Sequence, residues 1–348
     1  MKTRTSALAL AAVATATAVA CASDESTKSD VTLTIVAYES FTPPEGIFQT
    51  FTDETGISVR VVAAGDAGEM VAKATLTAGN PEGDVMWGVD NTLLSRALDA
   101  NVFDPYVSDV DGLNPDLVST AAGVVTPVDY GDVCVNYDIE RLGQLGIDPP
   151  TSFEDLTSPG YRGLLVVPSA LSSSTGLAFL LGTISASPDG WQDVWRDLRD
   201  NDVLIVGGWY EAYYTEFSRY GGERPLVVSY ASSPPAEILF ADPPLPDGSP
   251  APTAVVTSTC FRQIEYAGVL RGSEHAEEAR ALVDFLASPT FQESMPESLF
   301  VFPANQRATL PDTFVDYVQP IADPLMMDPS TIAASRDAWL EEWDAIIG

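Results

Sequence analysis

Residues 207–233 read GGWYEAYYTEFSRYGGERPLVVSYASS, and Trp209, Tyr210, Tyr213, Tyr214, Phe217, Tyr220 and Tyr230 crowd within them. Ring faces at this density can hold a flat or cationic ligand by stacking and cation–π attraction, worth about 0.5–2 kcal/mol per contact. The competing reading is structural. Trp209, Tyr213, Phe217 and Tyr220 stand at helical spacing and would also fill a core stripe, and both readings stand for Phe217 and Tyr220. Trp209 follows a glycine pair, and Tyr230 ends an apolar run, 225–230, that reads as a buried strand. Side chains at strand ends line the crevices of open α/β sheets. A second constellation is the hydroxyl run Ser172, Ser173, Ser174 and Thr175, set before the apolar helical segment 177–183. Hydroxyls and free amides at a helix start can take an anion. A plain N-cap would explain one of these residues but not the run.

Other chemistry is poorly supplied. The chain has one histidine, His275, so a metal centre is not expected. Gly-x-Ser-x-Gly and His-Glu-x-x-His are absent from the sequence, which removes the usual nucleophile and zinc signatures. No cofactor is implied. Carboxylates are too abundant for any pair to stand out. With 50 Asp+Glu against 17 Lys+Arg, the formal charge of −33 excludes a nucleic-acid partner. The same charge is repelled by an anionic membrane surface and raises the local concentration of cations.

The elements that would position these residues alternate. Strands are expected at 31–37, 56–62, 83–90, 164–168 and 225–230, and helices at about 69–78, 91–99 and 274–287. This alternation predicts an α/β fold with a parallel, doubly wound sheet, and puts Tyr38 and Asp90 at strand ends on the ligand edge. Segments 131–137 and 253–266 are also strand-like. Ser187 and Pro188 read as the cap and first residue of a helix to about 200, with Trp191 and Trp195 in the core. A terminal helix at 332–347 carries Trp339 and Trp343. At 348 residues and 45% hydrophobic, the chain is long enough for two domains with real cores.

Residues 1–20, MKTRTSALALAAVATATAVA, have the layout of a secretory signal. The end, Ala18-Val19-Ala20-Cys21, resembles a bacterial lipoprotein signal, which is cut before a cysteine that takes the lipid. A polar tether, 21–30, follows. No later run reaches the about 18 apolar residues of a membrane helix, so a lipid on Cys21 would be the only membrane attachment. The remaining cysteines, Cys134 and Cys260, form an even pair outside the cytoplasm, where a disulfide is expected; two buried free thiols are the alternative.

Taken in order, VAYESF (36–41), DVMWGVDNTLL (84–94), VDYG (128–131), GWYEAY (208–213), VSYASSP (228–234), SPTFQ (288–292), FPAN (302–305) and RDAWLEEW (336–343) resemble the thiamine-binding proteins of bacterial ABC importers, of the periplasmic-binding-protein type II superfamily. The resemblance covers about residues 31–345. It implies two α/β lobes joined by crossing strands: 31–130 plus 262–348, and 131–261. Cys134 and Cys260 then fall on the two crossings, where a bridge would tie the strands. It implies a cleft in which Tyr38 stacks on the aminopyrimidine, Trp209 lines the wall, Asp90 faces the thiazolium, and Ser173, Ser174 and Thr175 approach the hydroxyethyl or phosphate end. Tyr213 and Tyr230 would be further wall residues. Three positions depart from the family: Ala236 replaces a stacking tyrosine, Phe300 a cleft tryptophan, and Leu171 an arginine before the hydroxyl run. The last favours thiamine over its phosphates.

The implied partners are thiamine or thiamine phosphate and an ABC permease, and a monomer is expected. Another cationic solute or a ferric ion, and from a different class a thiaminase-like enzyme using Cys134, are the alternatives.

Overall fold

Apolar runs separated by turns build the scaffold of this computed structural model, which describes residues 31–118, 120–246 and 248–348. The signal-like segment, Cys21 and the tether lie outside the described residues. The strands are β1 (Thr32–Ala37), β2 (Ser58–Ala63), β3 (Val85–Asp90), β4 (Phe103–Asp104), β5 (Thr126–Asp138), β6 (Leu165–Pro168), β7 (Leu204–Val206), β8 (Leu226–Tyr230), β9 (Thr253–Leu270) and β10 (Phe302–Pro303). They join one sheet in the order β2-β1-β3-β9-β5-β8-β6-β7, with β4 on β9 and β10 on β5.

The flanks are parallel, as the strand–helix alternation predicts: β1 pairs β2 and β3, and β6 pairs β7 and β8. The centre corrects the expectation of an all-parallel sheet. Here β3–β9, β9–β5 and β5–β8 are antiparallel. The reason is the length of two strands: β5 has 13 residues and β9 has 18. Each extends from one flank to the other, so the two parallel halves meet on a shared antiparallel pair. The β5–β9 register shifts between Val133 and Val135. Cys134 and Cys260 are joined across that irregularity, packed with Ala231 and Val255.

Local chemistry sets the helices. Asp66 caps Ala67–Leu76, accepting from the Ala67 amide at 2.6 Å. Ser174–Ala186 is apolar on nearly every face, and its residues 174–184 are buried against the sheet. Ser187 ends that helix instead of opening the next one, and the following helix is Trp191–Asp200, capped by Gly190. This shifts the start expected at 188, because Ser187 is already held by the Thr183 carbonyl. Trp191 and Trp195 are buried, as expected, and Trp195 meets Trp343 edge-on at 5.4 Å. Trp343 belongs to the terminal helix Pro329–Ile347. That helix straddles both halves: it packs on Trp195 in one, and Arg336 donates to Ser95 Oγ at 3.0 Å in the other.

Candidate functional site

The aromatic segment is not a regular helix. A single turn, Trp209–Glu211, runs into a π-helical turn, Ala212–Glu216, and a 3₁₀ turn, Ser218–Tyr220. Five residues per hydrogen-bonded ring change the phase of the stripe, as π turns at binding sites often do. Phe217 is driven into the core beneath β6 and β8 with Ala212 and Tyr213, whereas Tyr220 is 39% exposed. Trp209 is left half-buried, its indole stacked on Tyr213 at 5.2 Å and held by a 3.0 Å bond from Nε1 to Ser229 Oγ. Tyr213 donates to Glu237 at 2.6 Å. The core-stripe reading therefore holds for Phe217, while Tyr220 stays outside that core.

Trp209, Tyr210, Tyr213, Tyr214 and Tyr230 form one wall of a cavity of about 330 Å³ between the two halves of the sheet. Tyr38 and the 298–301 segment form the opposite side, and Ser174, Thr175, Ala236 and Phe240 complete it. Tyr38 lies against Gly88 of β3, where φ is +92° and a Cβ would meet the ring at 2.2 Å. Only a glycine combines that dihedral with that approach. Phe300, also with positive φ (54°), carries its ring edge-on to Phe240 at 5.6 Å, and its carbonyl accepts from Ser232 Oγ.

Among the sequence-derived candidates, Tyr38, Ser174, Thr175, Trp209, Tyr213, Tyr230 and Phe300 meet at this cavity. Ser173 stands one step behind the lining, its hydroxyl 2.9 Å from Thr175 Oγ1. Asp90 does not face the cavity. It is fully buried, and its carboxylate accepts from Thr92 Oγ1, the Leu93 amide and, at 2.6 Å, Gln263 Nε2. A strand-end position allowed Asp90 to point either way, and these donors turn it inward. Leu171 is exposed and away from the lining.

The carboxylates that do line the cavity are Glu39, Asp66 and Glu265. Glu265 sits inside β9, and Tyr38 Oη donates to it at 3.0 Å. A glutamate within the apolar run 264–270 was the available signal for it. Asp66 reaches across the cleft. It accepts from the Trp209 amide at 3.1 Å and the Ser174 amide at 3.4 Å. The helix start at Ser174, whose Ser173 hydroxyl makes no cap bond, thus takes its anion from the other half of the molecule. Among the described residues no lysine, arginine or histidine lines the cavity.

Burial dominates the electrostatics. It raises Asp66, against the pull of the Trp209 and Ser174 amides, and raises Asp90 to about 6 despite its donors. Glu265 is pushed well above the usual carboxylate range by burial and then by Asp129 and Asp90. Tyr38, Tyr213 and Tyr230 are raised well above 10, first by burial and then by neighbouring negative groups, so they remain neutral phenols. Among the described residues no three His, Cys, Asp or Glu side chains form a metal-holding group. The arrangement suits a flat cation: neutral ring faces on the sides, carboxylates at the end.

Two sheet halves sharing long crossing strands, with a ligand-sized cavity between them, define a periplasmic binding protein of the type II class. Residues 81–317 match the bacterial extracellular solute-binding protein family, and the chain belongs to it. The thiamine-binding periplasmic protein of Escherichia coli (strain K12) is 28% identical over 90% of this chain and 93% of its own length. That of Brucella suis biovar 1 is 27% identical over 90% and 91%. A solved periplasmic thiamin binding protein superposes with a TM-score of 0.77 at 26% identity, over 91% of this chain and 96% of its own.

Proposed function

We propose that this chain is the extracytoplasmic solute-binding component of a thiamine importer. The observation that carries this reading is the cavity: among the described residues it has aromatic walls, three acidic side chains and no basic one, and it is set between two halves of the sheet in a chain whose relatives are named as thiamine-binding proteins. In this reading the lobes are 31–130 plus 262–348 and 131–261, with the terminal helix bridging them. Tyr38 and Trp209 offer ring faces to the two heterocycles, while Glu265 and Asp66, rather than Asp90, supply the charge for the thiazolium. Ser174 and Thr175 meet the hydroxyethyl end. Closing the lobes traps the ligand, and the closed form docks on an ABC permease. The protein acts as a monomer held to the membrane by lipid on Cys21. A thiaminase-like reaction has little support, since Cys134, its candidate nucleophile, faces Cys260 in a bridge.

Free thiamine is the preferred cargo over its phosphates, because a phosphate would meet carboxylates without a cation to offset them. Ferric ion is disfavoured because the Tyr213 and Tyr230 hydroxyls are already committed to Glu237 and Gln263, and no histidine lines the cavity among the described residues. Calorimetric titration with thiamine, thiamine monophosphate and thiamine diphosphate tests this. Thiamine is expected to bind tightest. Tighter binding of either ester overturns the preference, and no binding of any of the three overturns the assignment.

A further inference from the structure

Beneath the cavity wall lies a carboxyl that the binding scheme does not use. Asp129 is 1% exposed, and neither of its oxygens has a donor among the described residues. It is the cross-strand partner of Glu265 on β5 and β9, next to a register shift at Pro127. The two side chains lie within hydrogen-bonding reach of each other. Two carboxylates cannot hydrogen-bond to each other unless one carries a proton, because an ionised carboxyl only accepts. Like charges at such range also cannot both be held in a buried site.

The groups facing the pair are Asp90 from β3, Tyr38 from the end of β1, Tyr230 from β8 and, farther off, Asp66 from the loop before Ala67–Leu76. The carboxyls among them add negative charge, and Tyr38 donates to Glu265, not to Asp129. Asp90 already has three donor groups. The proton therefore lies between the two, on the Glu265 side, because the bond to Asp129 raises Glu265 and lowers Asp129.

We propose that Asp129 and Glu265 hold one proton between them, and that Asp129 is a positioning residue which tunes the ligand-facing Glu265 so that a bound cation is exchanged for that proton. The proposal rests on the cationic-ligand reading above. On binding, positive charge beside Glu265 favours the doubly ionised pair. The O–H of Glu265 breaks, and the proton passes to bulk buffer. The sign follows from linkage: a ligand that releases a proton binds more tightly as pH rises. The effect is present while the pair is protonated in the free protein and vanishes once the pair is ionised before binding.

Two measurements test this. The first is infrared spectroscopy of the ligand-free protein near neutral pH. A protonated-carboxyl band is expected in the wild type, absent in Asp129→Asn and diminished by thiamine. A wild-type spectrum without the band overturns the shared proton even if the variant fails to fold. The second is calorimetry with thiamine in buffers of different ionisation enthalpy, from about pH 5 to about pH 9. Wild type should release up to one proton, with Kd falling by up to about tenfold per pH unit, and Asp129→Asn should flatten both. An identical profile in the variant assigns the dependence to the ligand or to Asp90 and overturns the role of Asp129. Absence of thiamine binding at every pH defeats the functional reading and the exchange with it, while the infrared band still decides whether the proton is shared.

Discussion

At the scale of single residues, the cleft depends on side chains whose types were conspicuous but whose directions were not. Trp209 has one face against Tyr213 and its Nε1 anchored on Ser229, so its ring is pre-oriented at the cavity wall. A ligand stacking there meets a surface that loses little entropy on binding. Trp209→Ala should weaken thiamine binding by about 1–3 kcal/mol, as loss of an aromatic anchor does. Fluorescence titration measures it; a loss under about 0.5 kcal/mol removes Trp209 from the site. Asp90 and Glu265 show the limit of residue-level reading. Both are acids in strands, and a strand-end aspartate looks more available than a mid-strand glutamate. The network of Thr92, Gln263 and Tyr38 reverses that order.

At the scale of elements, the proposed closure depends on how near two helices can approach. Gly68, in the first turn of Ala67–Leu76, lies against the Ser172 carbonyl, and a Cβ there would sit 2.3 Å from that oxygen. Asp66, two residues earlier, bonds to the same region through the Ser174 and Trp209 amides. Gly68→Ala should therefore leave the lobe intact, since alanine favours the helix by about 0.5–1 kcal/mol over glycine. It should still hold the cleft ajar and weaken thiamine binding. Small-angle scattering with and without thiamine, beside thermal unfolding, checks both halves of the prediction. Full closure with unchanged affinity would falsify the contact's role. The boundaries of helices and strands were mostly legible from caps and apolar runs. The π turn in the aromatic segment was not, because i, i+4 spacing is the same pattern whichever ring size the backbone adopts.

At the scale of the whole molecule, β5 and β9 are both the sheet's centre and the connection between its halves. The Cys134–Cys260 bridge spans 126 residues at that crossing and has no place in the cavity lining. Closing a loop of that length restrains the unfolded chain, so Cys134→Ala with Cys260→Ala should cost about 2–5 kcal/mol of stability. Thiamine affinity should stay within about twofold, as distant sites behave nearly independently. Chemical denaturation and calorimetry give the two numbers, and a large loss of affinity at unchanged stability would make the bridge part of the binding device.

The strand–helix alternation, the even pair of cysteines and the density of aromatic residues are local properties, and they sufficed for the α/β class, the pairing of Cys134 with Cys260 and most of the cavity's aromatic wall. What the linear order left open were the antiparallel centre of the sheet, the inward turn of Asp90, and the meeting of Asp66, Asp129 and Glu265. Those depend on contacts between residues more than a hundred positions apart. A side chain's direction there is set by which donor or acceptor the folded chain brings beside it, and no local pattern records that neighbour.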